Sequence, residues 1–446
     1  MYHNNILKIL AFAFFGISVL CFVALTNAFQ LVKAADIEAF LQPSEKNLEY
    51  GIHRTQAQLD FWAGKLAEDP SSSIYKLKTS TLLSEQFKQT GDISLIHRSD
   101  SLLTSVLSLR SIRQAPYYRA LSANAITQHQ FEAALGLAER SLPSALHPEY
   151  SHLMRFDALM ELGRVEEARE ILDSVQTPNF FSRAIRKAKL QDHDGDLDAA
   201  IRTMEKAAQW CREREDKALL CWSMSNLGDM YGHAGRIKEA YRAYQDVLQM
   251  DPTYLYALKG VAWIAYAEDQ NTPLARRILD FIRQEKESPD LLLMLSEMAL
   301  FEGQKKETEA LEEAFITAVS EPEYGNMYDR YLAEIYLDRP EELQKAKFYI
   351  QKELTHRPLA ASYVLWADYL YQRGLSEEAI RLIEERVVGK TFEPDVLLRV
   401  GMIYKAAGFP EEAKSFLEEA AEAEFELGPL TSKKIQNALN EMKTIQ

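Results

Sequence analysis

Residues 221–254 read CWSMSNLGDMYGHAGRIKEAYRAYQDVLQMDPTY. Within this stretch Leu227-Gly228, Tyr231, Gly235, Ala240, Tyr244 and Pro252 stand at intervals that one antiparallel pair of helices accounts for. Gly235 can take the left-handed conformation that closes a helix. Ala240 belongs where two helices approach so closely that a larger side chain would push them apart. Pro252 cannot continue the second helix, so it marks the start of the next unit. Between these marks Leu227, Tyr231, Ala240, Tyr244 and Val247 recur at helical spacing and fall on inward faces.

The same marks recur along the chain. The alanine row is Ala134, Ala168, Ala200, Ala240, Ala275, Ala310, Ala346, Ala379 and Ala413. Successive steps are 34, 32, 40, 35, 35, 36, 33 and 34 residues. A period near ~34 is that of a helix-turn-helix solenoid. Five places before the alanine stands Gly163, Gly195, Gly235, Gly374 or Gly408, and Gly91 holds the same relation to Ile96. Twelve places after it stands Pro252, Pro322 or Pro358. The step of 40 from Ala200 to Ala240 predicts a longer second helix near Glu205 to Glu215.

The unit 221–254 resembles a tetratricopeptide repeat, with Gly228, Tyr231, Gly235, Ala240, Tyr244 and Pro252 in the family's structural places. The last unit does so through Gly401, Tyr404, Gly408, Ala413, Leu417 and Ala420. Another does so through Leu332-Ala333, Tyr336, Ala346, Ile350 and Pro358. The resemblance covers roughly Asp69 to Phe425. It departs at the family's early tryptophan, whose place in the best unit holds Met224. It implies an all-α, right-handed superhelical solenoid of antiparallel helix pairs. The expected layout is an N-terminal segment over 1–35, a capping helical segment over 36–69, about nine or ten units over 70–427, and a C-terminal capping helix over 428–446. Leu48, Ile52, Thr55, Leu59, Trp62 and Leu66 suit either a short coiled-coil seam or packing on the first repeat.

Composition agrees. Of 446 residues 47% are hydrophobic and 26% charged, too apolar for a disordered chain. Three cysteines are too few for a disulfide scaffold. The net charge of -15 is spread as solvated helix faces and leaves no basic patch for nucleic acid.

Ile9 to Leu25 carries no charge, which fits either a cleaved signal peptide or a single membrane anchor. Cuts after Ala28 or Ala34 would follow a small residue. Cys21 follows Leu20, which is not small, and this argues against lipidation. With that segment removed Cys211 and Cys221 remain, as a disulfide or as two helix cysteines.

No nucleophile elbow, phosphate loop, His-Glu-x-x-His or Cys-x-x-Cys occurs, so no catalytic residue, metal or cofactor is expected. Asp192-His193-Asp194-Gly195-Asp196-Leu197-Asp198 begins like a calcium loop. Its sixth and twelfth places hold Leu197 and Thr203 instead of glycine and glutamate, so a helix-helix turn is the simpler reading.

The resemblance also implies a concave groove lined by first helices. Its facing places hold Trp222, Asp229 and His233 in one unit and Tyr256, Lys259, Trp263 and Tyr266 in the next. Aromatics in a polar rim suit binding hot spots, although each aromatic could equally fill the core between units. The expected function is a non-catalytic scaffold or assembly factor of the cell envelope, exported or anchored by one N-terminal helix. It would hold a partner protein's peptide or helix in this groove. The alternatives are an envelope protein for a small ligand or glycan, a cytoplasmic scaffold if an anchor inserts the other way, and, least favoured, an enzyme.

Overall fold

The computed structural model describes residues 30–42, 51–108, 113–176, 179–286, 288–320 and 324–443. These residues are helical, with no strand among them. After one short helical turn at Ala34–Ile37, the helix α1 (Gly51–Glu68) precedes ten antiparallel pairs among the described residues. In chain order the pairs are α2 (Ser73–Thr90) with α3 (Ser94–Leu107), α4 (Ala115–Thr127) with α5 (Phe131–Ser141), α6 (Pro148–Glu161) with α7 (Val165–Ser174), and α8 (Phe180–His193) with α9 (Leu197–Glu213). Next come α10 (Lys217–His233) with α11 (Ile237–Met250), α12 (Leu255–Ala267) with α13 (Thr272–Glu285), and α14 (Asp290–Phe301) with α15 (Lys305–Val319). The last are α16 (Asp329–Leu337) with α17 (Leu343–His356), α18 (Ala360–Gln372) with α19 (Ser376–Arg386), and α20 (Pro394–Ala407) with α21 (Pro410–Ala421). A final helix, α22 (Glu424–Lys443), is broken at Gly428.

The alanine row explains the stacking. Ala134, Ala168, Ala200, Ala240, Ala275, Ala346, Ala379 and Ala413 are all fully buried at the crossing of their pairs. Ala310 is a correction: it is exposed, and the small buried residue at the start of α15 is Thr308, five places after Gly303. Thr308 turns its hydroxyl back on the Gln304 carbonyl, so this small polar side chain can stand in alanine's place. Pro322 lies outside the described residues.

The glycine row holds too, with two substitutes and one break, at Glu341 in the 3-10 turn of the Ala346 unit. Gly163, Gly195, Gly235, Gly303, Gly374 and Gly408 all have positive φ. In the units of Ala134 and Ala275 the same turn is made by His129 (φ 55) and Gln270 (φ 48). The step of 40 residues is shared between α9 and α10, each of 17 residues, with Glu215 at φ 55 between them. Asp196 and Asp216 cap these helices by accepting from the N–H groups of Ala199 and Leu219 at 3.0 and 3.1 Å.

First helices of successive pairs touch one another, as α4, α6 and α8 do and again α16, α18 and α20, while second helices do so less. The stack therefore curves with its first helices inside. It curves far enough for distant pairs to meet. Glu161 binds both Lys189 and Arg357, each at 2.7 Å, and the Gly195 turn lies against Phe392. These two cations and His129 hold the Glu161 carboxyl down at about 2 although burial opposes them.

Both ends of the described chain are tied in. Thr55 and Leu59 of α1 are buried, and Trp62 packs on Tyr75 of α2, so α1 covers the first pair. Residues 30–41 lie across the middle of the array. Asp269 accepts the backbone N–H groups of Leu31 and Val32 at 2.7 and 2.8 Å, and Val32 and Ile37 are fully buried in the core of α11–α14. Among the described residues no helix is long and apolar enough to cross a membrane. The expected leader or anchor over Ile9 to Leu25, and Cys21 within it, lie outside the described residues.

A candidate binding groove on the first helices

The inner faces of α10, α12 and α14 bring together the groove residues read from the sequence. Two glycines shape the wall. A Cβ on Gly228 of α10 or on Gly260 of α12 would run into the Tyr244 ring. The ring is thus clamped between successive first helices, and its hydroxyl emerges in the groove. There Asp229 accepts from Tyr244 at 2.6 Å and from Tyr256 at 2.8 Å. Burial raises the Asp229 carboxyl, and the two phenols oppose that shift. Burial together with the Asp229 charge pushes both phenols upward, so they remain donors.

The aromatics differ in what they offer. Trp222 is 36% exposed and rests edge-on against Phe181. Tyr256 is 46% exposed, with Lys259 over its ring. Lys259 is itself held by Asp290 at 2.9 Å. Trp263 is half-buried. Tyr266 is fully buried between Trp263 and Phe301, its hydroxyl donating to Glu297 at 3.2 Å, so it presents no surface to a partner. Burial pushes the Glu297 carboxyl up to about 7.

The groove is already lined on its open side by the start of α22. Trp263 Nε1–H donates to the Phe425 carbonyl at 3.0 Å, and the Phe425 ring lies over Gly232. His233 faces Glu426 at 3.8 Å. Between these parts remains a cavity of about 230 Å³, lined chiefly by Asp229, His233, Tyr256, Lys259, Trp263 and Phe425. Sequence reasoning found the α10 and α12 side of this site. It missed Phe425 and Glu426, whose place in the groove has no local signal.

The other sequence candidates are placed as follows. Cys211 and Cys221 are free, buried thiols, and burial raises both. In the Asp192–Asp198 run, Asp194 pairs with Arg169 and Asp196 caps α9. No group of three or more His, Cys, Asp or Glu side chains suited to a metal occurs among the described residues.

Residues 186–253 match the Tetratricopeptide repeat family. No curated protein matches the chain. Among solved structures the chain is similar to yeast Tom70, at 14% identity over 83% of this chain and 96% of that one, with a TM-score of 0.36. It is similar to a human IFIT1 dimer with PPP-AAAA, at 14% identity over 82% and 78%, with a TM-score of 0.45. It is also similar to a tetratricopeptide repeat protein from Parabacteroides merdae, at 17% identity over 59% and 99%, with a TM-score of 0.34.

Proposed function

We propose that this tetratricopeptide-repeat protein is a non-catalytic interaction scaffold of the cell envelope, holding a partner protein's segment on the inner faces of α10, α12 and α14. One observation carries the reading: Trp222 and Tyr256 stand exposed on that face. Large aromatic surface left on an inner face, with fixed acceptors and donors beside it, is what a binding hot spot requires. Asp229 and the Lys259–Asp290 pair supply the fixed polar groups. The envelope location rests on the uncharged run from Ile9 to Leu25. A photo-crosslinking amino acid at Tyr256 or Trp222, compared with one at exposed Phe61 on α1, tests the groove. Adducts in cells from the first two positions only are expected, and equal labelling from Phe61 would defeat the reading.

A second reading, a small ligand or glycan stacked on Trp263, is favoured by the cavity of about 230 Å³ beside that indole. Stabilisation by oligosaccharides with no protein adduct at Tyr256 would select it.

A further inference from the structure

The array curls until its own C-terminal segment reaches the groove. The seat of this segment is assembled from three helices. From α10, Gly232 leaves room for the Phe425 ring, which a Cβ there would meet at 2.7 Å. From α12, Trp263 donates to the Phe425 carbonyl. From α14, Glu297 lies under Gly428, where a Cβ would meet its Oε1 at 2.8 Å. Gly428 itself has φ 74 and ψ 166, a conformation essentially confined to glycine, and Pro429 follows it. Side chains of the groove thus read the backbone and one ring of an irregular segment, which is how a groove reads a peptide.

The fit fails at one place. Glu426 enters a region where Glu393, Asp395 and Asp192 act on it as like charges; His233 faces it at 3.8 Å, and the Arg330 guanidinium nearby is taken by Asp395 and Glu334. Like charges gathered in a partly desolvated site weaken the bound state. A cationic side chain at that place would gain where Glu426 loses.

We infer that residues 425–430 are a displaceable latch in the groove, and that the partner segment which replaces them carries an aromatic residue followed directly by lysine or arginine. This rests on the interaction reading above and names the partner's chemistry. The ring would take the Gly232 seat, and the cation would meet Asp192 and Glu393, beside the Arg330-paired Asp395, once the latch had swung out and taken Glu426 with it.

The test uses the full chain and two labelled peptides, residues 422–431 as they stand and the same peptide with Glu426→Lys. Phe425→Ala in the full chain should open the latch. The Lys peptide should bind this variant roughly tenfold tighter than it binds the unaltered chain, and roughly tenfold tighter than the unaltered peptide does. Glu426→Lys in the full chain should act in the opposite sense, slowing hydrogen exchange over 425–430 and reducing peptide binding. Far-UV circular dichroism reports whether either variant has lost its helices, and the Glu426→Lys arm decides alone if Phe425→Ala has. Equal binding of both peptides, or faster exchange in Glu426→Lys, would overturn the inference. Binding of neither peptide, with crosslinks at Tyr256 retained, would overturn the latch and leave the scaffold reading standing. A dimer in sedimentation, with 425–430 protected only in the dimer, would make the occupant a second copy of the chain and overturn it as well.

Discussion

The indole Nε1–H of Trp263 donates a 3.0 Å hydrogen bond to the carbonyl of Phe425, 162 positions further along the chain. Through this contact the middle of the array recognises its end. It makes Trp263 a reporter of the groove's state. Trp263→Phe keeps an aromatic wall and removes the donor. A buried hydrogen bond contributes roughly 1 kcal/mol. Amides of 425–430 should therefore exchange roughly fivefold faster, with unfolding of the array unchanged, as hydrogen-exchange mass spectrometry can read.

Tyr266 differs from Trp263 because it is core. Tyr266→Ala should cost about 3–5 kcal/mol, as truncation of a buried aromatic does, and lower the thermal midpoint of the whole protein. Tyr266→Phe keeps the ring and removes only the bond to Glu297. A small shift for Phe against a large one for Ala in denaturant titrations is the expected pattern. Equal shifts would mean that the hydroxyl, and not the packed ring, carries the stability.

Gly228 and Gly260 are both needed so that the Tyr244 ring can lie between α10 and α12. Gly228→Ala gains helix propensity of about 1 kcal/mol but overpacks the ring, at a cost of about 1–3 kcal/mol. A net loss of stability is expected, rescued by Tyr244→Leu in the same chain. Failure of the rescue would contradict the clamp.

Asp269 holds the strap of residues 30–41 by two backbone N–H groups. Asp269→Ala should destabilise the strap by about 1–3 kcal/mol and expose it to limited proteolysis. The same contact bears on processing. A cut after Ala34 would remove the buried Val32, so the mature protein is expected to retain Leu31 and Val32. Intact-mass measurement of the protein isolated from its own cells checks this.

Acidification should tighten the latch. Glu297 is covered by Gly428, and burial raises its carboxyl from an ordinary 4.5 to about 7. A raised carboxyl favours the docked state fully below about pH 4.5, and that contribution is lost as pH rises through about 7. Glu426 shifts in the same direction, through burial and the charges of Glu393, Asp395 and Asp192, with His233 opposing. Exchange over 425–430, corrected for intrinsic rates, should be slower at pH 5.5 than at pH 8. The reverse order would exclude these carboxyls as the cause.

Much of the fold was legible because its marks are local. Ala240 and Gly235 act within one helix pair, Tyr244 joins its own pair to the next, and their spacing repeats. The misreading of Ala310 has the same root: the small residue required there is Thr308, and Gly303 was the signal that could have found it. His129 and Gln270 could not be read as turn residues, because only the closed helix pair forces them to positive φ. Of the seven groove residues, the sequence could not separate Tyr256, which is exposed, from Tyr266, which is buried. Both lie on one helix at helical spacing, and the neighbour α14 decides which is covered.

By itself the sequence determined that this protein is an all-α array of paired helices, because a period near ~34 residues encodes contacts made within each unit. Only the tertiary structure decided what fills its inner face. The rotation from each pair to the next accumulates along the stack, and it brings Phe425 to Trp263 and Leu31 to Asp269 across 162 and 238 residues. No spacing within a unit carries that sum.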